Sequence, residues 1–170
     1  DTGVHASHQV AHLDVSDEVL NRCVGHMTIP ITEALTRRLK AVLPSDIVIH
    51  GIAVAPAGFD ARFSALERTY VYRVADRSSE VDPRLRGCVL TVDEALDLEL
   101  MNRAASLTIG LHDFGSFATP NPGGTTIREV KTAYWRRVPI TPLVPDEMAS
   151  HEAYRTPSLE SGLVVFTIVA

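Results

Sequence analysis

Three stretches after residue 67 of this 170-residue sequence have the pattern of β-strands. Arg68–Val74 alternates with a period of two, and Thr126–Val138 and Leu163–Ala170 are longer strand-like segments. The polar, proline-containing stretch 139–162 is expected to join the last two as an extended surface loop. Because no βαβ repeat is visible, we predict an α+β fold with a mostly antiparallel mixed sheet and flanking helices.

Two segments have helical spacing of their apolar residues. Thr32–Val42 is the first, and Pro44 ends it because proline cannot continue a helix. Thr91–Glu94 has the form of a capping box and precedes a second helical pattern, for which we interpret Gly110 as the terminator.

The first third of the sequence contains two further strand-like segments, Gln9–Val15 and the β-branched, apolar Ile47–Val54. The turn-forming residues Pro56–Gly58 follow the second of them. We therefore predict two half-domains, residues 1–58 and 59–170.

The charge balance is a mild argument against a nucleic-acid partner, because 16 Lys and Arg residues face 21 Asp and Glu residues, for a net charge of −5. The basic residues nevertheless concentrate in the segments 60–73 and 126–138. Charge alone therefore decides nothing about the partner.

Other bulk features exclude several classes of protein. Cys23 and Cys88 match no zinc or redox spacing and are typical of free thiols in a reducing cytoplasm. The apolar runs are far shorter than the roughly 20 residues of a membrane helix, and we expect no secretory signal at the start. The sequence opens on Asp1 without an initiator Met and stops at Ala170 inside a strand-like run, so we expect both ends to be cut.

The opening twelve residues combine a carboxylate with three histidines. Asp1 stands before Thr2 and Gly3, a pattern that suits a sharp turn, in which Asp1 either caps the turn or serves as a catalytic carboxylate. The histidines have the i, i+3, i+7 spacing of metal ligands on a helix, but this segment is a poor helix former and no further ligand completes a site. We therefore predict no metal at these histidines, which are His5, His8 and His12.

The predicted strand 68–74 carries Tyr70 and Tyr72 on one face. Strand tyrosines are usually core aromatics, but a flat ring can also stack on a nucleobase. The pattern alone leaves both interpretations open.

Short motifs follow one another along the whole chain: Asp1–Ala6 (DTGVHA), Gln9-Val10, Leu43–Ile47 (LPSDI), Phe59–Ala65 (FDARFSA), Arg68–Tyr72 (RTYVY), His112–Phe117 (HDFGSF) and Ile127-Arg128. In this order they resemble the signatures of the A-type tRNA pseudouridine synthases. Each motif alone is a weak signal, and their shared order is a strong one. The family's Gly-Arg-Thr before the aspartate and its later helix with a second arginine are not in the sequence, and Ala41-Val42 stand where the family often has Asn.

The resemblance implies a pseudouridine synthase fold of two RRM-like halves and the isomerisation of uridine to pseudouridine in the anticodon stem-loop of tRNA. It assigns Asp1 as the catalytic carboxylate, acting as nucleophile or as base, and Tyr70 as the aromatic residue that stacks on the flipped uracil. Tyr72 is interpreted as a packing residue.

The resemblance also implies an RNA-binding set in which Arg62 is the main arginine. It consists of the segment Phe59, Asp60, Ala61, Arg62, Phe63 and the loop Asn121, Pro122, Gly123, Gly124, Thr125. The family implies no cofactor, a homodimer in the cytoplasm, no membrane association, and tRNA as the partner.

Two alternatives belong to other classes. A non-catalytic RNA-binding module of the same fold would keep Arg62 and Tyr70 but lose Asp1, and Asp1 is present. A metal-dependent hydrolase would use the three histidines of the opening segment, and stoichiometric zinc in the purified protein would favour it.

Overall fold

The computed structural model describes residues 4–118, 124–139 and 159–170. The chain divides into two compact units, Asp1–Leu66 and Glu67–Ala170. The division therefore follows the FDARFSA motif, whereas the predicted boundary at Gly58 precedes it. The motif belongs with the first unit because its backbone is hydrogen-bonded there, for example from Ala61 N–H to His12 Nδ1.

The first unit contains two helices, α1 (Asp17–Val24) and α2 (Ile31–Val42), which pack against each other. α2 confirms the predicted helix and buries Ala34 completely. α1 is not predicted by the apolar pattern. It begins at Ser16, whose Oγ accepts a hydrogen bond from Val19 N–H at 3.4 Å, and it ends at Gly25, where φ is 55°.

The strands predicted at Gln9–Val15 and Ile47–Val54 are wrong, since neither segment has regular secondary structure. Their apolar side chains are largely exposed, as with Val54 at 90%. A β-branched segment forms a strand only when a neighbouring strand supplies hydrogen bonds and a packing surface. No strand in the described part of the chain pairs with either segment.

The second unit is built on a mostly antiparallel sheet, which confirms the predicted α+β class. Its strands are β1 (Thr69–Ala75), β2 (Leu90–Thr91), β3 (Gly110–Asp113), β4 (Ile127–Val130), β5 (Thr132–Val138) and β6 (Leu163–Val169). In the described residues the main sheet has the order β2-β1-β6-β5. The β1–β6 and β6–β5 pairs are antiparallel and the short β1–β2 pair is parallel.

The register of β1 against β6 confirms the predicted strand faces. Tyr70 lies opposite Ile168 and Tyr72 opposite Phe166, so these four side chains share one face. Helix α3 (Leu98–Ser106) packs on β5, and its Ala105 joins a core cluster that includes the partly buried Phe166 and Ile168. A second cluster, on Ala75, Leu163 and Val165, fills the opposite face.

The start and the end of α3 differ from the prediction. Thr91, the expected cap, is paired with Ala75 in β2, and the helix begins seven positions later because Asp97 caps it, accepting from the N–H groups of Glu99 and Leu100 at 3.0 Å each. Gly110 does not terminate the helix, which ends at Ser106; with φ of 111° it opens β3 instead.

The predicted strand 126–138 is two strands in two sheets. β4 pairs with β3, and β5 pairs with β6 in the main sheet. The switch occurs at Lys131, whose N–H donates to Val169 O at 2.8 Å.

The ends of β1, β5 and β6 meet at a junction of polar groups. The side chain of Asp76 is fully buried, and its carboxylate accepts from Arg137 Nη1 at 3.1 Å and from Arg137 Nη2 at 2.7 Å. Arg137 Nη1 also donates to Gly162 O at 3.0 Å, and Ser79 Oγ lies at the same distance from this oxygen. A Cβ atom on Gly162 would lie 2.3 Å from Val138 O, so the backbone there approaches too closely for a side chain.

Cys23 and Cys88 are free thiols, as predicted. Among the described residues, no helix has the length and apolarity to cross a membrane.

Candidate nucleic-acid interface

Some of the predicted site residues lie outside the described ranges. Asp1 is one of them, and Asn121, Pro122 and Gly123 of the predicted tRNA-contacting loop are the others. The remaining predicted residues fall into three places, the Phe59–Phe63 turn, the strand β1 and the end of the loop at Gly124-Thr125.

The Phe59–Phe63 segment is a tight turn organised by Asp60. Its entrance is a turn in which Phe59 N–H donates to Pro56 O at 3.1 Å and Gly58 takes a φ of 79°. The Asp60 Oδ1 atom then accepts from Arg62 N–H at 2.7 Å and from Phe63 N–H at 2.9 Å. The sequence folds this way because an aspartate side chain can accept hydrogen bonds from the backbone N–H groups two and three positions ahead.

These hydrogen bonds favour the ionised form of the Asp60 carboxyl group. The N–H groups of Phe63 and Arg62 hold the pKa of Asp60 below its ordinary value, and the nearby Arg62 charge acts in the same direction. The Asp60 carboxylate is therefore ionised at neutral pH, and its Oδ1 atom is hydrogen-bonded to two N–H groups of the turn. Because a carboxylate repels phosphate, Asp60 fits the role of organiser better than that of RNA contact.

The turn presents its arginine and its second phenylalanine to solvent. Phe63 is 81% exposed, and the Arg62 guanidinium carbon lies 5.4 Å from the centre of its ring. An exposed cation next to an exposed aromatic ring offers a partner both a phosphate contact and a stacking surface.

Strand β1 presents two tyrosines from one face. Tyr70 is 55% exposed and Tyr72 is 51% exposed. Tyr70 therefore has the ring exposure that base stacking needs. The cross-strand neighbour of Tyr72, Phe166, is stacked on Trp135 at a centroid distance of 4.7 Å.

The HDFGSF motif closes the base of the loop that ends at Gly124-Thr125. The Asp113 carboxylate accepts from Gly115 N–H at 2.9 Å and from the Thr126 hydroxyl, while Phe114 N–H donates to Thr126 O at 3.0 Å. These bonds lower the pKa of Asp113, with the Thr126 hydroxyl contributing most. Gly124 and Thr125 are exposed beyond this closure.

Half of the basic residues in the segment 126–138 have acidic partners within the protein. Lys131 Nζ lies 2.8 Å from Glu67 Oε2, and Arg137 pairs with Asp76. Arg136 is an exposed residue of β5, and its guanidinium carbon lies 6.0 Å from the Tyr134 ring centre. The charge available to an external phosphate from this segment is therefore smaller than the sequence predicts.

His12 is the residue of this region that the sequence pattern misses, since it stands out there only as a metal ligand. In the structure its Nδ1 accepts from Ala61 N–H at 3.0 Å, across 49 positions of sequence. No short-range pattern signals a pairing at this separation. Among the described residues, no group of three His, Cys, Asp or Glu side chains is arranged to hold a metal.

The fold and the site together define an α+β protein with exposed aromatic and arginine side chains of the kind that bind nucleic acid. No protein-family model matches the chain. It is 99% identical over all of its 170 residues to tRNA pseudouridine synthase A of Bifidobacterium longum strain DJO10A, of which it spans 56%. It is 63% identical over 170 residues to the protein of that name from Bifidobacterium animalis subsp. lactis, again over 56% of that protein. The protein of that name from Streptomyces griseus is 49% identical over 141 residues, which are 83% of this chain and 47% of the relative.

The chain thus spans just over half the length of the curated relatives that match it along its whole length. It belongs to the tRNA pseudouridine synthase A family.

Proposed function

We propose that this chain carries catalytic and RNA-binding residues of an isomerase that converts uridine to pseudouridine in the anticodon stem-loop of tRNA. The observation that carries the proposal is the 99% identity, along the whole chain, to a protein named tRNA pseudouridine synthase A. The exposed arginine, phenylalanine and tyrosine of the site support it, because their chemistry suits a nucleic-acid substrate.

The reaction breaks the N1–C1′ bond of uridine and forms a C5–C1′ bond after the uracil has rotated. The proton on C5 then leaves, and N1 gains one. In this proposal the Asp1 carboxylate assists the bond cleavage as nucleophile or as base. An aspartate is ionised at neutral pH with an ordinary pKa of about 4, so it needs no special environment for either role.

Tyr70 is the residue proposed to meet the base. Flipping the uridine out of its stack costs a few kcal/mol, and stacking on an aromatic ring contributes about 1–3 kcal/mol per base. The half-exposed ring of Tyr70 is available for that contact. Its hydroxyl would assist removal of the C5 proton.

The phosphate backbone is proposed to bind at Arg62 and at the loop 121–125. Arg62 is presented by the Asp60 turn. In the loop, flexible glycines let backbone N–H groups approach a phosphate. Phe59, Ala61 and Phe63 shape the turn that carries Arg62.

The remaining parts of the proposal come from the family. The enzyme needs no cofactor or metal, acts as a homodimer with one tRNA touching both subunits, and works in the cytoplasm.

The test is the Asp1→Asn substitution in the full-length Bifidobacterium longum relative, numbered as in this sequence. Asparagine is nearly isosteric, so tRNA affinity should stay within a few-fold while the rate of pseudouridine formation falls at least about a hundredfold, the usual contribution of an acid–base group. Asp14→Asn makes the same change at an exposed position of the same segment and should leave both quantities unchanged. Normal turnover by the Asp1 variant would remove this residue from the reaction.

A further inference from the structure

His12 links the arginine-bearing turn to the opening segment of the chain. Its Nδ1 atom accepts a hydrogen bond from Ala61 N–H at 3.0 Å. Its ring meets the Phe59 ring edge-on, with centroids 6.5 Å apart and an angle of 88° between the planes. Its Nε2 atom lies 3.8 Å from Asp60 Oδ2. One imidazole thus contacts three consecutive residues of the turn.

The hydrogen bond to Ala61 defines the state of the ring. Nδ1 can accept from an N–H group only when it carries no proton, so the neutral ring bears its proton on Nε2, on the side of the Asp60 carboxylate. The Asp60 carboxylate in turn holds the N–H groups of Arg62 and Phe63. His12 therefore holds the N–H group of Ala61, and Asp60 holds the next two N–H groups of the turn.

The internal bonds of the turn do not by themselves fix its place in the unit. They join Asp60 to Arg62, Phe63 and Ser64, all within four positions. The bond from Ala61 to His12 spans 49 positions and ties the turn to the segment that begins with Asp1. Losing this bond would leave the turn intact but free to pivot.

We propose that His12 is a positioning residue, which holds the Asp60–Phe63 turn so that Arg62 meets a tRNA phosphate. The inference rests on the proposed function, since it takes Arg62 as a phosphate contact. The positioning role requires a hydrogen-bond acceptor at the position of His12 Nδ1. It requires neither a bound metal nor a charged imidazole ring.

The test compares two amides at position 12 of the full-length Bifidobacterium longum relative. The side-chain oxygen of asparagine can occupy the place of Nδ1 and accept from Ala61 N–H. The glutamine oxygen lies one bond farther out, near the place of Nε2. We expect His12→Gln to weaken tRNA binding about three- to tenfold, the range for one neutral hydrogen bond, and His12→Asn to bind within about twofold of the wild type. Circular dichroism and the melting temperature establish that both variants are folded.

A double-mutant cycle with Arg62→Ala separates positioning from a general loss of stability. If His12 acts through Arg62, His12→Gln adds no further loss of affinity in an Arg62→Ala background. The slope of log affinity against log salt should also fall by about one in His12→Gln, as it does when one phosphate contact is lost.

Three results would overturn the inference. They are an equal loss in His12→Asn and His12→Gln, an additive loss in the double variant, and normal tRNA binding by His12→Gln. Normal tRNA binding by Arg62→Ala would overturn it as well, together with the assigned role of that arginine. Pseudouridine formation by the wild type is measured in a separate assay. A failure of the proposed reaction can therefore be distinguished from a failure of the His12 inference, which is tested by tRNA binding.

Discussion

Asp76 shows how a single buried charge is tolerated at the end of β1. Besides the two bonds from Arg137, its carboxylate accepts from Ser78 Oγ at 2.8 Å, Ser79 Oγ at 3.0 Å and Leu96 N–H at 3.2 Å. The Arg137 bonds, followed by these smaller contributions, hold the pKa of Asp76 well below its usual range although burial acts in the opposite direction. A buried carboxylate is stable only with such complete pairing.

The Asp76→Asn substitution tests the buried pair of Asp76 with Arg137. It leaves the largely buried Arg137 without its counter-charge, and we expect the free energy of unfolding to fall by about 3–5 kcal/mol, as when one partner of a buried pair is removed. Urea titration of the full-length Bifidobacterium longum relative measures the loss. Glu67→Gln, the same chemical change in the exposed pair with Lys131, should have little effect.

The pH dependence of this difference has a defined sign. The folded pKa of Asp76 is lower than the unfolded value of about 3.9, so the stability that the carboxylate contributes is complete above about pH 5. It is lost as the pH falls through the unfolded value towards the folded one. The wild type and Asp76→Asn should therefore converge in stability in acid. A difference that persisted unchanged to pH 3 would contradict the pairing.

Pairings of this kind cannot be predicted from the sequence. Asp76 and Arg137 are 61 positions apart, and His12 and Ala61 are 49 apart. Each pairing depends on how distant segments are brought together, whereas periodicity reports only on neighbours along the chain. The motif residues Arg62 and Tyr70 were predicted from the family resemblance, and the residues that hold their surroundings were not.

At the scale of elements, α3 begins where Asp97 supplies an acceptor for two backbone N–H groups. We predict that Asp97→Ala lowers the free energy of unfolding by about 1 kcal/mol, the typical contribution of an N-cap. Asp93→Ala, the same change inside the stretch with the capping-box pattern, should be close to neutral, because the helix does not start there. Thermal unfolding of the two variants measures the contrast, and a larger loss at Asp93 would contradict the observed cap.

The elements that were predicted correctly are those whose pattern of apolar residues fits the surfaces they pack against. β1 alternates and β6 is continuously apolar, because core clusters pack on both faces of the sheet. α2 has apolar residues along one side. α1 was missed although Ser16, Asp17 and Glu18 form a cap and an acidic first turn. The wrong strand at Ile47–Val54 has the right composition, and no strand of the described chain pairs with it. The residue types indicate what a segment can form, and its neighbours decide whether it does.

At the scale of the whole molecule, a net charge of −5 must be reconciled with the polyanionic substrate that we propose. Two of the four basic residues in 126–138 are paired with Glu67 and Asp76. The acidic excess therefore partly neutralises basic residues within the protein itself.

We predict from this that tRNA affinity falls steeply with salt despite the net charge. Each phosphate contact contributes about 0.9 to the slope of log affinity against log salt in duplex regions. Arg136→Ala should reduce the slope by about one, whereas Lys131→Ala, which removes a residue already paired with Glu67, should not change it. Filter binding between about 50 and 200 mM salt covers the range in which such slopes are measured. An identical slope in both variants would contradict the division into paired and available cations.

The close approach of Gly162 to Val138 O limits which residue position 162 can hold. A substitution there would place a side-chain atom 2.3 Å from a backbone oxygen, and a backbone cannot yield as a flexible side chain can. The space at this position therefore excludes every side chain, and this steric demand is independent of catalysis.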